Sequence, residues 1–250
     1  MNTANSVAEL AIAIPSSIAV MERLQIDYCC HGQQTVDQAC SSAGITSDEL
    51  LRLIQASPSL ETDAPPPEAA LAEMIRFIVA THHVFTRSTL ETLQTLARKV
   101  CEHHGPNHQE LVMVERLVSE LSAELIPHML KEEQVLFPYV TALEGALGRG
   151  EEAPLPFFGT VRNPIRMMML EHEAAGEKMT EIRAVTEDYT VPADGCPSYH
   201  ALYQTLGDLE QDLHRHIHFE NNVLFPRAAA MEGERHAASA GAFGDGCCHH

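Results

Sequence analysis

Apolar residues recur at helical spacing along most of the chain. Leu71, Ile75, Ile78, Val79, Leu90, Leu93 and Val100 share one stripe and predict a helix from about Glu68 to His103. Leu111, Val114, Leu117, Val118, Leu121 and Leu125 mark a second helix, with Asn107-His108-Gln109-Glu110 as its capping sequence and Pro127 placed to kink it. Asn163-Pro164 opens a third helix that continues through Met167 to Ile182. A fourth runs from near Ser198 to about Met231. Residues 145–160 are rich in Gly and Pro and read as a loop, and Met167-Met168-Met169 reads as core.

The first sixty residues carry shorter apolar segments. Val7 to Ile14 is a short helix that Pro15 ends or restarts, and Ser16 to Ile26 is a second. Thr35-Val36-Asp37-Gln38 and Thr46-Ser47-Asp48-Glu49 match the capping box and start two more. Residues 58–68 are polar and proline-rich, as a semi-rigid linker is. The expected plan is an all-α chain: a helical domain over 1–60, a linker over 61–70, a four-helix bundle over 71–232, and a flexible tail over 233–250 ending Cys247-Cys248-His249-His250.

Some polar residues stand on the apolar stripe. His128-Met129-Leu130-Lys131-Glu132-Glu133-Gln134-Val135-Leu136-Phe137-Pro138 returns as His216-Ile217-His218-Phe219-Glu220-Asn221-Asn222-Val223-Leu224-Phe225-Pro226. Both read His-x-x-x-Glu-x-x-Val-Leu-Phe-Pro, and each proline is expected to stop or kink its helix. Residues four apart share a helix face, so each copy aims an imidazole and a carboxylate the same way. Surface ion pairs would not stand in line with Leu136 and Leu224. His83 lies 45 residues before His128, and His172 lies 44 before His216. The midpoints fall near Gly105-Pro106 and Asp194-Gly195, where each half can turn back as a hairpin. Two such hairpins place His83, His128, Glu132, His172, His216 and Glu220 in one layer, the ligand set of a two-metal site. His82 competes with its neighbour, and the level pairing favours His83. His103 and His104 stand roughly 30 Å along the axis from His83, at the hairpin tip, and are excluded. His214 and His218 point away from His216 and read as supporting or solvated groups. Glu124 and Glu171 read as surface charges or as the lining of a path to the metals.

Composition narrows the chemistry. Imidazole and carboxylate without thiolate suit iron, manganese or zinc, and disfavour Cu(I) and iron–sulfur clusters. Fifteen histidines agree with a metal site. A net charge of −19 disfavours nucleic acid and anionic membranes. Seven cysteines without framework spacing point to a reducing cytosol, and no signal peptide or membrane span is expected.

Three stretches carry a family resemblance: Asp27-Tyr28-Cys29-Cys30, Lys131-Glu132-Glu133-Gln134-Val135-Leu136-Phe137-Pro138, and Glu220-Asn221-Asn222-Val223-Leu224-Phe225-Pro226. The bundle resembles a hemerythrin-like domain, and residues 6–230 resemble the repair-of-iron-centres family. The resemblance implies two non-haem iron ions, oxo- or hydroxo-bridged, with Glu132 and Glu220 as bridging ligands. It implies repair of iron–sulfur clusters damaged by nitric oxide or peroxide, through iron donation or nitric oxide chemistry. The implied partners are damaged iron–sulfur proteins and nitric oxide or another small gaseous ligand, in the cytoplasm, and a homodimer is compatible with it. It also gives Cys29 and Cys30 a redox or thiol role. The family pattern usually has glycine after that pair; here His31 follows, close enough in sequence to lower a thiol pKa when protonated. The rival functions are a nitric oxide or dioxygen scavenger or sensor, and a nitric oxide or nitrite reductase drawing electrons through Cys29 and Cys30. A pure scavenger has no need of the cysteine domain.

Overall fold

The computed structural model describes residues 6–57, 64–152 and 155–241. All regular elements among the described residues are helical, and one isolated bridge pairs Ser6 with Thr35. Helices α1 (Val7–Ala13), α2 (Ser16–Arg23), α3 (Val36–Ser42) and α4 (Ser47–Ala56) form the amino-terminal unit. Val7, Leu10, Val20, Met21, Tyr28, Leu50 and Ile54 make its own core. Thr35 and Gln38 close a full capping box on α3, while Thr46 caps α4 from its side chain alone. The second helix stops at Arg23 rather than Ile26, because Gln25 takes a left-handed conformation (φ +53°). The linker's first part, residues 58–63, lies outside the described residues.

The bundle has four rods. The first is α5 (Leu71–Ile78), a π turn (Val79–His83) and α6 (Val84–His104). The second is α7 (Glu110–Lys131), a π turn (Glu132–Leu136) and α8 (Phe137–Arg149). The third is α9 (Arg162–Val185), and the fourth is α10 (Pro197–Phe219), a π turn (Glu220–Leu224) and α11 (Phe225–Gly241). Helix α6 packs on α7 and α10, and α7 packs on α9. The apolar core is split in two. Leu90, Leu117, Leu121, Ile182, Leu202 and Leu206 belong to the half toward the hairpin tips; Leu71, Ile78, Leu136, Leu143, Val161 and Leu224 belong to the other.

Several expected helix ends move, each for a local reason. Pro127 sits inside α7 without ending it. The second rod continues past Pro138, and the fourth past Pro226. Both prolines follow a π turn, whose i→i+5 pattern already shifts the hydrogen-bond ladder there. The expected loop at 145–160 starts later, because α8 ends only where Gly150 adopts φ +66°. Asn107 does not cap α7. The helix begins at Glu110, and His108 is held by Glu110 and by Asp194 of the opposite hairpin tip. Asn163 lies inside α9 and donates to the Phe158 carbonyl; the Val161 N–H and the Thr160 hydroxyl go to Glu232. Helix α11 runs to Gly241 instead of Met231, through an alanine-rich stretch of high helix propensity, so part of the expected tail is helical. Residues 242–250 lie outside the described residues. Of the methionine triplet, only Met168 is buried; Met167 and Met169 are exposed. No helix of the described residues is long and apolar enough to cross a membrane.

The start of the first rod is pinned from a distance. Glu144 accepts the Leu71 and Ala72 N–H groups at 2.7 and 2.9 Å, supplying the cap that Ala70 cannot. Arg227 donates to the Pro67 and Ala69 carbonyls just before it. Glu144→Ala should lower the unfolding free energy by about 1 kcal/mol, as loss of a cap does. Thermal melting should show a modest drop, with metal content unchanged.

Candidate metal centre

Six side chains fill the gap between the two apolar half-cores. His83 ends the first π turn; Glu132 and Glu220 begin the second and third. His128 and His216 stand four residues before the glutamates, and His172 comes from the middle of α9. All six are at most 2% exposed. Three of the four rods therefore widen at this layer. A π turn inserts a residue and shifts the phase of the helix beyond it, so Leu136 and Leu224 stay in the core while the glutamates turn inward.

The close pairs form between hairpins. His83 and His216 face each other with Nε2 atoms 3.2 Å apart, and His128 faces His172 at 3.0 Å. Level pairing within each hairpin does not anticipate this, because the α6–α10 and α7–α9 contacts decide which rings meet. Glu132 turns Oε2 toward His83 and Oε1 toward His128, each at 3.4 Å. Glu220 turns Oε1 toward His216 at 3.0 Å and Oε2 toward His172 at 3.1 Å. Two tetrads result, His83/Glu132/His216/Glu220 and His128/Glu132/His172/Glu220, with both carboxylates in both.

This donor set fits a pair of cations. Both Glu132 oxygens and Glu220 Oε2 are buried without a hydrogen bond. Unpaired polar atoms at such depth are costly. Two donors about 2.1 Å from one ion and at right angles to each other stand about 3 Å apart, which is the spacing of both nitrogen pairs.

The outer ring atoms set the inner ones. His83 Nδ1 meets Glu133 at 2.6 Å, His128 Nδ1 meets Glu171 at 2.8 Å, and His172 Nδ1 meets Asn221 Oδ1 at 2.9 Å. Arg87 and Lys131 neutralise Glu133 and Glu171. Such partners keep the proton on Nδ1 and leave the Nε2 lone pair pointing inward. The two halves repeat this device. Glu133 and Asn221 occupy equivalent places, each next to an inward glutamate and each holding a histidine of another rod. Glu171 precedes His172 and holds His128; the equivalent residue, preceding His83, is His82. Instead of accepting from His216, His82 stacks on its ring at 5.5 Å and pairs with Asp212. His216 Nδ1 is left without a hydrogen bond. The sequence pattern misses Glu133, Asn221 and Asp212; the offset of one from each inward glutamate is the signal available for the first two.

Other sequence candidates fall elsewhere. His103 bonds the Lys99 carbonyl, and His104 lies against His108 and Tyr199 at the hairpin tip. Glu124 pairs with Lys178 at the surface, and together with Glu171 it lines a cavity that reaches His128. His214 pairs with Glu22, and His218 meets the Tyr28 carbonyl at 3.3 Å, so both serve the contact with the amino-terminal unit. Cys29 and Cys30 are free thiols at that contact, with Cys30 Sγ 3.9 Å from the His172 carbonyl. His31 does not activate them: its ring binds Asp27 at 2.6 Å. The Cys29 thiol is pushed well above its usual range by its Cys30 neighbour, by burial and by the Asp27 charge.

Residues 73–228 match the hemerythrin HHE cation binding domain, and residues 3–57 match the ScdA_N domain, a domain of unknown function. The chain is similar to the probable iron-sulfur cluster repair protein of Haemophilus influenzae, 34% identical over 88% of this chain and 94% of that one. It is similar to the iron-sulfur cluster repair protein YtfE of Yersinia pseudotuberculosis, 35% identical over 92% of this chain and 97% of the relative. The same identity and coverages hold for the protein of that name from Musicola paradisiaca.

Without metal, the cage holds protons. Burial alone would depress His83 and His128, but the carboxylates of Glu132 and Glu220 lift them to about 10 and about 9. Burial would raise Glu220, but His216 and His172 hold it well below the usual carboxylate range. The two raised histidines stabilise the metal-free fold fully below their unfolded pKa of about 6.5, and that contribution disappears as pH rises through 9 and 10. The melting temperature of metal-free protein should therefore fall between pH 7 and 10. The metal-loaded protein, whose histidines carry no such proton, should show a flatter profile.

Proposed function

We propose that this chain, which belongs to the family of iron-sulfur cluster repair proteins, restores damaged iron–sulfur clusters from a two-iron centre held by His83, His128, Glu132, His172, His216 and Glu220. The reading is carried by one observation: two buried carboxylates each present one oxygen to each of two facing imidazole pairs. Bound iron would supply Fe(II) for rebuilding a cluster and a binding point for nitric oxide.

The chain's own residues divide the work. Glu132 and Glu220 would span both ions, and the four histidines would hold two each. Glu133, Glu171 and Asn221 keep three of those rings turned inward. Two histidines and two shared carboxylates leave positions free for a small ligand, as an ion that must react or depart requires and a purely structural ion does not. Clients are damaged iron–sulfur proteins, and the damaging agents are nitrosative or oxidative. The amino-terminal unit favours repair over scavenging, because its thiols sit against the helix that carries His172. Reduction of nitric oxide through those thiols is the weaker reading, since Cys29 is held protonated beside Asp27.

Iron-loaded protein should reactivate an enzyme whose [4Fe–4S] cluster has been destroyed by nitric oxide, and lose iron in proportion. Glu220→Leu should lose most of its iron and the reactivation with it. His103→Ala with His104→Ala should match the parent in both. Reactivation that consumes nitric oxide catalytically while iron stays in place would favour the reductase reading. Asn221→Ala should leave the fold intact and weaken iron binding by about 10–100-fold, the usual effect of freeing a ligand ring from its outer partner.

A further inference from the structure

A second donor cluster lies outside the cage. After α2 the chain turns at Gln25, and Asp27 then gathers the next residues around its carboxylate. Asp27 Oδ1 accepts the Cys29 and Cys30 N–H groups at 2.9 and 3.0 Å and faces the Cys29 thiol at 3.3 Å. Oδ2 meets His31 Nδ1 at 2.6 Å. The two sulfurs stand 3.9 Å apart. Two thiolates bound to one tetrahedral ion, each at about 2.3 Å, are separated by about 3.8 Å. The pair is thus spaced as it would be on a shared ion, and a carboxylate oxygen completes a face of the same tetrahedron: Asp27, Cys29 and Cys30 offer donors that all lie within 4.8 Å of one another.

The surroundings favour a cation. The cluster lines a cavity of about 400 Å³ between the amino-terminal unit and the bundle. Glu22, Glu173, Glu177 and Glu210 also line it, with Arg183 and His214 as opposing groups. Arg183 is engaged by Glu210, and His214 by Glu22. Glu173 and Glu177 remain at the mouth, on the outer side of the α9 turn whose inner side carries His172.

We propose that Asp27, Cys29 and Cys30 form a second metal site that takes one thiophilic divalent cation, ferrous iron or zinc. Both thiols give up their protons on binding, so one ion enters and two protons leave, with no change of oxidation state. Asp27 supplies one carboxylate oxygen, and the fourth position opens on the cavity. The His31 ring on Asp27's other oxygen plays the part that Glu133 plays for His83, fixing a ligand from behind. The protonated Cys29 thiol fits this role better than that of a nucleophile: it stays unreactive until an ion replaces its proton. The site is independent of the repair reading, since none of its ligands belongs to the cage.

Cobalt(II) is a suitable probe, because a thiolate ligand gives a near-ultraviolet charge-transfer band that imidazole and carboxylate ligands do not. Metal-free full-length protein, titrated with cobalt(II), should develop this band to a limit of one ion per chain, with two protons released. Cys29→Ser with Cys30→Ser should abolish it, and Asp27→Asn, which weakens a direct ligand, should lower the affinity by at least the roughly 10-fold that loss of an outer partner costs. His83→Ala should leave the band unchanged, as should Cys247→Ser with Cys248→Ser. Absence of the band in the parent, or its survival in the Cys29/Cys30 double variant, would overturn the proposal. Should the double variant misfold, alkylation of the parent serves instead. Zinc should protect Cys29 and Cys30 from a thiol reagent while Cys101 and Cys196 still react, and equal labelling with and without zinc would count against the site.

Discussion

Two carboxylates buried in the middle of a helical bundle are the constraint that shapes everything around them. Glu132 and Glu220 have no exposed surface, and isolated charges at that depth would cost several kcal/mol each. Their compensation comes from the imidazoles that face them: without metal, His83 and His128 are held as imidazolium partners, and with it all four would be fellow ligands. The compensation requires all four rods at one level, and so the apolar core is divided into halves above and below the layer. The π turns belong to the same solution. They let three rods turn polar side chains inward at one level and then restore leucine and phenylalanine to the core.

The internal repeat explains the site's order and its one asymmetry. Glu133 and Asn221 are equivalent residues that hold His83 and His172. Glu171 holds His128, but its equivalent is His82, whose ring lies parallel to that of His216 and so does not accept from its edge. The His83/His216 tetrad is therefore less firmly braced than the His128/His172 tetrad. The second copy also differs at the next position. Where the first copy has Gln134, the second has Asn222, whose amide reaches the Tyr28 and Cys29 carbonyls at 3.2 Å. Gly32 sits so close to the Tyr28 carbonyl and Ala8 that a Cβ would collide with both and crowd Asn222 Oδ1. The amino-terminal unit is thus docked on the residues adjoining the cage wall.

Much of this is legible in the chain because it depends on local spacing. The four-rod plan comes from the apolar stripes, and the convergence of His128 with Glu132, and of His216 with Glu220, comes from helical period. The preference for His83 over His82 rests on matching intervals about the hairpin turns. The features that the sequence hides depend on tertiary contact. The meeting of His83 with His216 rests on which rods are neighbours. The π turns have no Gly or Pro to announce them. Asn107 looks like a cap, yet the local competition is won by His108, which bridges Glu110 and Asp194. His31 looks like an activator of the thiols, but the nearer carboxylate of Asp27 takes its ring.

The central claim is that the six residues hold two ions, one in each tetrad. Anomalous X-ray diffraction from crystals of iron-loaded protein, measured at the iron edge, tests it most directly. Two peaks are expected in the middle layer, one beside His83 and His216 and the other beside His128 and His172, with Glu132 and Glu220 touching both. A single peak, or iron bound by His82 or His104 in place of His83, would contradict the account.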